Sequence, residues 1–200
     1  MANFPLPFPV TRNASERITL ERRQSATESP YTYKVQVVQT ASRWTIEWTW
    51  PRMSVPKAEA IVGWSLKLKG MIGTFKFYPN RTVVSQLVNR SLAVIGFAYN
   101  DTVSIGGWTA GQLSTLRVGQ FFTIGDQLLQ ITDAAAAADS AGKVTVTFEP
   151  ELRENYPLYT PVEFVKPYGV FRMSKSESLA YTLDPDRRPD FGTCQAREDV

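Results

Sequence analysis

The sequence has no histidine and only one cysteine, Cys194, among its 200 residues. Without histidine the chain lacks the commonest metal ligand and the commonest general base near neutral pH. A Ser-His-Asp or Cys-His catalytic arrangement is therefore excluded. A single cysteine also excludes an intramolecular disulfide and a cysteine-based metal cluster. We expect no catalytic residue, no metal site and no cofactor, and we predict that the protein is not an enzyme.

A pair of carboxylates is the one acid–base arrangement that remains open. A glycosidase-like hydrolase needs two such groups facing each other across a cleft. Asp184, Asp186 and Asp190 stand in a proline-rich stretch that is typical of solvated loops. Residues 149–154 mix glutamates with a proline and an arginine, as turns do. Neither stretch surrounds a carboxylate with the apolar residues that would raise its pKa.

Long apolar runs and a strong charge of one sign are also missing. No run approaches the about 18 apolar residues of a membrane-spanning helix. The first ten residues, MANFPLPFPV, contain three prolines and no basic residue, which argues against a signal peptide. Net charge is only +3, and glutamates interrupt the basic stretch at residues 16–23. This mixture is typical of a solvated or interfacial surface, and we expect no membrane partner.

Tryptophan, in contrast, is concentrated in one short stretch, SRWTIEWTWP. Trp44, Ile46, Trp48 and Trp50 alternate with polar residues, which predicts a strand with one heavily apolar face. Large aromatic side chains bury roughly 150–250 Å² each. This tryptophan stripe is therefore expected either to anchor a core or to face a partner subunit, and the core is the stronger expectation.

A helix and a further strand are predicted directly after the stripe. Ser54 is a plausible N-cap, Pro56 stands in the first turn and Gly70 ends the pattern. The residues expected on its apolar face are Ala58, Ile61, Val62, Ser65 and Leu66. Phe75 and Phe77 then alternate with polar residues in a strand closed by Pro79-Asn80. We expect the stripe to pack under this helix, with Phe75 and Phe77 as further core or interface residues.

The segment before the stripe predicts an arm and short strands. Residues 1–16 are proline-rich and read as an extended arm whose phenylalanines, Phe4 and Phe8, anchor it either on a neighbouring subunit or on its own core. Residues 16–24 predict a strand and 25–30 a polar connection. Residues 31–40 and 42–50 predict two strands joined as a hairpin.

From residue 89 the segments become short and glycine-punctuated, which is typical of a small all-β unit. Residues 133–142 read as a loop with at most one helical turn. After Pro167 longer strand patterns return, with strands expected in GVFRMSK, SLAYTLD and the last stretch, DFGTCQAREDV. The chain is therefore predicted to be mainly β, with one domain formed by residues 1–88 plus 168–200 and a small barrel inserted at residues 89–167.

These elements, in this order, resemble the distal tail (baseplate hub) proteins of long-tailed siphovirus phages, particularly the small T-five-like kind. The similar stretches are TIEWTWPRMSVPKAEAIVGWSLKLKGMIGTFKFYPN, LRVGQFFTIGDQLLQIT, VTVTFEPELR and YGVFRMSKSESLAYTL. The resemblance extends over nearly the whole chain. It implies a β-sandwich with one helix as a ring-forming domain, and an inserted barrel of the oligonucleotide/oligosaccharide-binding (OB) type.

The resemblance also implies a function, location and partners. Six copies would form a ring at the distal end of the phage tail, made in the bacterial host cytoplasm and assembled into the virion. The ring would join the tail tube protein to the tip hub or fibre protein, with the tape-measure protein as a further neighbour. Its central channel would let DNA pass.

The implied OB-type barrel provides the alternative function, a binding module for glycan or single-stranded nucleic acid. Such barrels bind through aromatic and basic side chains on one face. Trp108, beside a Gly-Gly pair, is expected to be the most exposed aromatic, and Arg117 is the nearby basic candidate. Further aromatic candidates are Phe97, Tyr99, Phe121 and Phe122, the last two on opposite faces of one strand.

The alternative leads to a direct prediction. If the insert binds single-stranded nucleic acid, affinity falls steeply with salt because phosphate contacts release counterions. It also falls on Trp108→Ala if that ring stacks on a base. Fluorescence anisotropy with a labelled oligonucleotide at low and high salt measures both effects. No binding at low salt eliminates this branch, and a glycan array tests the other.

Overall fold

The protein is described here from a computed structural model, which covers residues 4–9, 13–79 and 87–199. Before the barrel the elements are β1 Leu6–Pro7, β2 Ser15–Glu28, β3 Val35–Thr49, α1 Val55–Leu68 and β4 Thr74–Phe77. The barrel strands are β5 Arg90–Leu92, β6 Thr102–Gly106, β7 Phe121–Ile124, β8 Gln127–Ala134, β9 Lys143–Glu149 and β10 Pro161–Glu163. The chain ends with β11 Gly169–Met173, β12 Thr182–Leu183, β13 Pro189–Asp190 and β14 Thr193–Glu198.

Two β structures dominate the described residues. A six-stranded sheet has the order β1-β4-β11-β14-β3-β2, and only β1–β4 is parallel. A closed barrel has the order β10-β5-β6-β9-β8-β7, with antiparallel pairs throughout. The prediction of a mainly β chain with one helix and a small barrel is confirmed. The domain limits, 1–88 plus 168–200 and 89–167, stay a prediction.

The two strands predicted at 31–40 and 42–50 are one strand, so that prediction is wrong. Residues 30–34 form the turn instead, and β2 continues through the expected polar connection to Glu28. β3 pairs with β2 over its full length, but Arg23 lies opposite Ala41 and Gln24 opposite Gln39. The extra residue, Thr40, is a bulge that shifts the alternation by one. Two out-of-phase apolar patterns therefore belong to a single continuous strand.

Helix α1 begins and ends close to the predicted positions. Ser54 occupies the N-cap without a side-chain cap bond, and Lys69 adopts a left-handed conformation (φ 53°) just before Gly70. The buried face consists of Ala58, Ile61, Ser65 and Leu68. Leu66, expected on that face, is 58% exposed. The spacing of 58, 61, 65 and 68 follows one helical stripe, and position 66 lies about 100° round from its neighbour at 65.

The tryptophan stripe lies in the core of the chain itself. Trp44, Ile46, Trp48 and Trp50 are all buried, in one cluster with Ile61 and the β4 phenylalanines. The arm inserts Phe8 among these rings, with centroid distances of 5.1–6.0 Å to Trp48, Trp50, Trp64, Phe75 and Phe77. The described part of the arm therefore covers its own core, and residues 1–3 and 10–12 lie outside the described residues.

Smaller differences concern the later segments. Residues 135–142 form a loop tied to the barrel by a bridge between Leu113 and Ala137, with no helical turn. In SLAYTLD only Thr182–Leu183 pairs, in a two-stranded ribbon with β13. The final strand is confirmed as β14, which pairs with β3 and β11. Asn80, expected to close the β4 strand, lies outside the described residues.

We predict that Trp48→Ala lowers the free energy of unfolding by roughly 3–5 kcal/mol, the usual loss for a large buried aromatic. Urea denaturation followed by fluorescence measures it. Leu66→Ala is the control, because this exposed side chain should change stability by less than about 0.5 kcal/mol. A Trp48→Ala protein with unchanged stability but lost self-association would place the stripe at a subunit interface.

Candidate functional site

One group of the residues that the sequence singled out lies inside the fold. Trp44, Trp48, Trp50, Ile61, Phe75 and Phe77 are all buried in the core beneath α1 and the arm. Buried side chains of this kind stabilise the fold and offer no surface to a partner. A contact site therefore has to be sought among the exposed residues of the hairpin and the barrel.

Trp108 is 7% exposed, so the expectation that it is the most exposed aromatic is wrong. Gly107, with a φ of 110°, turns the chain so that the indole enters the barrel core. The Trp108 Nε1–H donates to the Ser114 carbonyl (3.3 Å), and the Arg90 guanidinium lies 4.3 Å from the centre of the Trp108 ring. Trp108→Ala would therefore report on barrel packing. Phe97 and Tyr99, in contrast, are exposed.

Strand β7 joins the barrel to the sheet through its two phenylalanines. Phe122 points into the barrel, where it contacts Phe148 and Phe164. Phe121 belongs to the core of the sheet, and its ring lies 5.5 Å from Trp44. Both rings are therefore core, one in each cluster. The sequence showed that they lie on opposite faces, but it did not indicate that the second face is covered as well.

An ion pair between the buried Glu198 and the partly exposed Arg153 lies beside this contact. Glu198 Oε2 accepts hydrogen bonds from the Arg153 guanidinium (2.7 Å) and from the Trp44 backbone N–H (3.0 Å). Arg153 also donates to the Ser42 carbonyl at 3.2 Å. Burial raises the pKa of the Glu198 carboxyl above its ordinary value, although Arg153 and the Trp44 N–H favour the charged form.

On another side of the junction lies a groove lined by residues 78–79, 117–121 and 164–167, which we call the junction groove. Its volume is about 250 Å³. Arg117, the basic residue proposed from sequence, is exposed there together with Lys166, whose ammonium lies 4.4 Å above the Tyr78 ring. Lys166 was not predicted, because only the fold brings residues 78, 117 and 166 together.

The outer half of the β2–β3 hairpin is the most exposed regular structure of the described chain. From Val35 to Trp44, β3 pairs with β2 alone, because β14 pairs only with Thr45–Thr49. Every residue from 30 to 41 is exposed. The large apolar side chains among them are Tyr31, Tyr33, Val35, Val37 and Val38. An isolated two-stranded ribbon is only marginally stable in water, so this hairpin is typical of an interaction element.

The raised pKa of Glu198 predicts how stability depends on pH. The folded state binds the proton more tightly than the unfolded state, whose value is near the ordinary 4.5. The contribution of this group is therefore fully present below about pH 4.5 and is lost as pH rises through the folded pKa. We expect urea unfolding between pH 4.5 and 7.5 to show that the free energy of unfolding of the wild type, relative to that of Glu198→Gln, rises as pH falls. A constant or reversed difference would contradict this.

Within residues 4–9, 13–79 and 87–199, no helix is long and apolar enough to cross a membrane. The same residues contain no group of three or more His, Cys, Asp or Glu side chains that could hold a metal ion. No protein-family model matches the sequence, and a search of curated proteins finds no match.

Proposed function

We propose that the protein is a structural virion component that forms a ring, with six copies, at the distal end of a phage tail. The observation that carries the proposal is the β2–β3 hairpin, whose outer half extends beyond its own sheet. Exposed apolar residues on this ribbon need a partner surface. The resemblance of the ordered motifs to distal tail proteins supplies the class of assembly.

The strand pairing supports self-association at the sheet and not at the barrel. The barrel is closed, so none of its strands is an edge. Among the described residues, β2 has no neighbour on its outer side in the sheet, and the opposite edge is the two-residue β1. A ring of identical subunits uses two different surfaces that meet head to tail. Two dissimilar open edges on one sheet fit that requirement.

Because the core aromatics are buried inside each subunit, the hairpin becomes the main candidate for the contact between subunits. The tryptophan stripe is covered by Phe8, α1 and β4, so its area is used inside each subunit. The exposed tyrosines and valines between residues 31 and 38 are the apolar area that remains for a neighbour. Tyrosine is enriched at protein interfaces. In this proposal the hairpin of one copy lies across the next.

The finer assignments belong to the same proposal. The sheet with α1 would be the sandwich-type ring domain, and the barrel would be the insert that projects outward. The ring would join the tail tube protein to the tip hub or fibre protein, near the tape-measure protein, around a channel for DNA. No step of chemistry is required, since the function depends on the geometry of the ring.

The alternative, an OB-type module for glycan or single-stranded nucleic acid, has little support in the fold. Its main stacking candidate, Trp108, is buried. The barrel also has six strands in a closed order, whereas the OB fold is a five-stranded, partly open barrel. We therefore retain the ring as the proposed function.

Negative-stain microscopy and sedimentation velocity of the purified protein test the proposal. We expect a six-fold ring with a central hole, or a monomer that assembles on tube ends. A persistent monomer that neither binds tube ends nor occurs in virions would refute it.

A pair of variants tests the hairpin contact. Val37→Lys/Val38→Lys places charge on both faces of the exposed ribbon and should leave monomers with unchanged circular dichroism. Leu66→Lys, at an exposed helix position, is the matched control and should still form rings. Intact rings from the hairpin variant would place the contact elsewhere on the sheet.

A further inference from the structure

We propose that the junction groove binds an acidic side chain, aspartate or glutamate, of a partner protein. The groove lies where the end of β4, the loop before β7 and the segment after β10 meet. The inference rests on the residues of the groove alone and does not depend on ring formation.

The charge of the groove is of one sign. Arg117 and Lys166 line it, and no acidic side chain does. Neither cation forms an ion pair with any described residue. The next residues after Pro79, at 80–86, contain one arginine and no acidic residue in sequence. Two cations at one concave surface without a counter-charge favour an anionic ligand.

Two carboxylates close to the groove in sequence make contacts of their own. Glu163 Oε1 accepts the backbone N–H groups of Val165 and Lys166, at 2.7 Å and 2.9 Å. Asp126 pairs with Lys76 at 3.6 Å and accepts a hydrogen bond from the Tyr168 hydroxyl. These contacts hold both carboxylates in turns, and neither carboxylate forms an ion pair with Arg117 or Lys166.

The turn at residues 117–120 is fixed by its own hydrogen bonds, and it carries Arg117 and Gln120. The Gln120 N–H donates to the Arg117 carbonyl (3.1 Å), and the Arg117 N–H donates to Gln120 Oε1 (3.3 Å). Gly119, with a φ of 83°, donates to the Ile131 carbonyl. The remaining amide donor, Gln120 Nε2, is buried and has no hydrogen-bond partner among the described residues.

The size and lining of the groove favour a protein carboxylate over other anions. Its volume, about 250 Å³, is below the roughly 300–1,000 Å³ of small-molecule sites, which suits one or two side chains. The Lys166 ammonium lies over one face of the Tyr78 ring, so a base or a sugar could not stack on that face. The arginine fork matches a carboxylate in bidentate geometry. Val118 and the flanking prolines provide apolar contact for the residues beside the acid.

The probe is the capped peptide acetyl-Leu-Glu-Leu-amide, with acetyl-Leu-Gln-Leu-amide as its uncharged match. Titration of the full-length protein, followed by NMR of the Gln120 side-chain amide and the Val118 backbone amide, reports binding in the groove. We expect the Glu peptide to bind at least tenfold more tightly than the Gln peptide. Affinity should fall with added salt, as screening weakens exposed charge pairs.

Three variants locate the site. The double variant Arg117→Gln/Lys166→Gln should weaken binding of the Glu peptide at least tenfold. Val118→Glu, which supplies an internal competitor, should weaken it by a similar factor. Lys57→Gln removes an exposed cation of α1 outside the groove and should leave affinity unchanged. Near-UV circular dichroism checks that each variant is folded.

Several outcomes would overturn the proposal. Equal binding of the two peptides, or no binding of the Glu peptide at 10 mM or so, would remove the carboxylate as ligand. Full affinity in the double variant would place binding elsewhere. Inorganic phosphate or a thymidine oligonucleotide that displaces the Glu peptide at lower concentration would assign the groove to phosphate. None of these results depends on whether the protein forms rings.

Discussion

Trp44 is the residue on which the arrangement of the two β structures depends. Its indole N–H donates to the Leu128 carbonyl of β8 at 2.8 Å, and its ring packs against Phe121 of β7. Its backbone N–H binds Glu198 of β14. One strand of the sheet thus contacts two strands of the barrel and a neighbouring strand at once. Because Phe121 and Leu128 are buried in the core of the sheet, separating the barrel would open that core to water.

This shared core has consequences for every surface at the junction. Glu198 is buried at this junction, and its burial outweighs the favourable charge contact with Arg153. The junction groove likewise has walls from both structures. If the contact between the two β structures were loose, Tyr78 and Pro79 at the end of β4 would move relative to Arg117 and Lys166 of the barrel. The packing around Trp44 therefore preorganises a site to which Trp44 itself contributes no atom.

The sequence predicts local structure well where the pattern is local. Helix α1 and strand β4 follow from caps and alternation within about fifteen residues, and the short strands of the barrel follow from glycine punctuation. Alternation does not predict the bulge at Thr40. One extra residue shifts the alternation, so one continuous strand has the pattern of two. Leu66 illustrates a second limit: several apolar residues compete for a helical face, and only the packing partner decides between them.

The site residues were harder to predict than the fold. Trp108 follows two glycines, a pattern shared by exposed turns and by tight inward turns, and sequence alone does not distinguish them. Arg117 was identified as a basic residue near aromatics, but its companion Lys166 is 49 positions away and meets it only through barrel closure. The sequence leaves Phe8 either on a neighbouring subunit or on its own core, and only the packing places it against Trp48. Such contacts are set by tertiary packing, which has no period in the sequence.

The strand order explains why self-association is expected of the sheet. Exposed edge strands invite pairing with other chains, and natural proteins cover them or mark them with charge. The inner half of β2 carries Glu16, Arg17, Glu21, Arg22 and Arg23, which discourages unspecific pairing there. The outer half, residues 24–28, has a single charge, and its partner strand exposes Val35, Val37 and Val38. A surface protected along half its length and apolar along the other half is suited to one specific neighbour, which is what a ring of identical subunits provides.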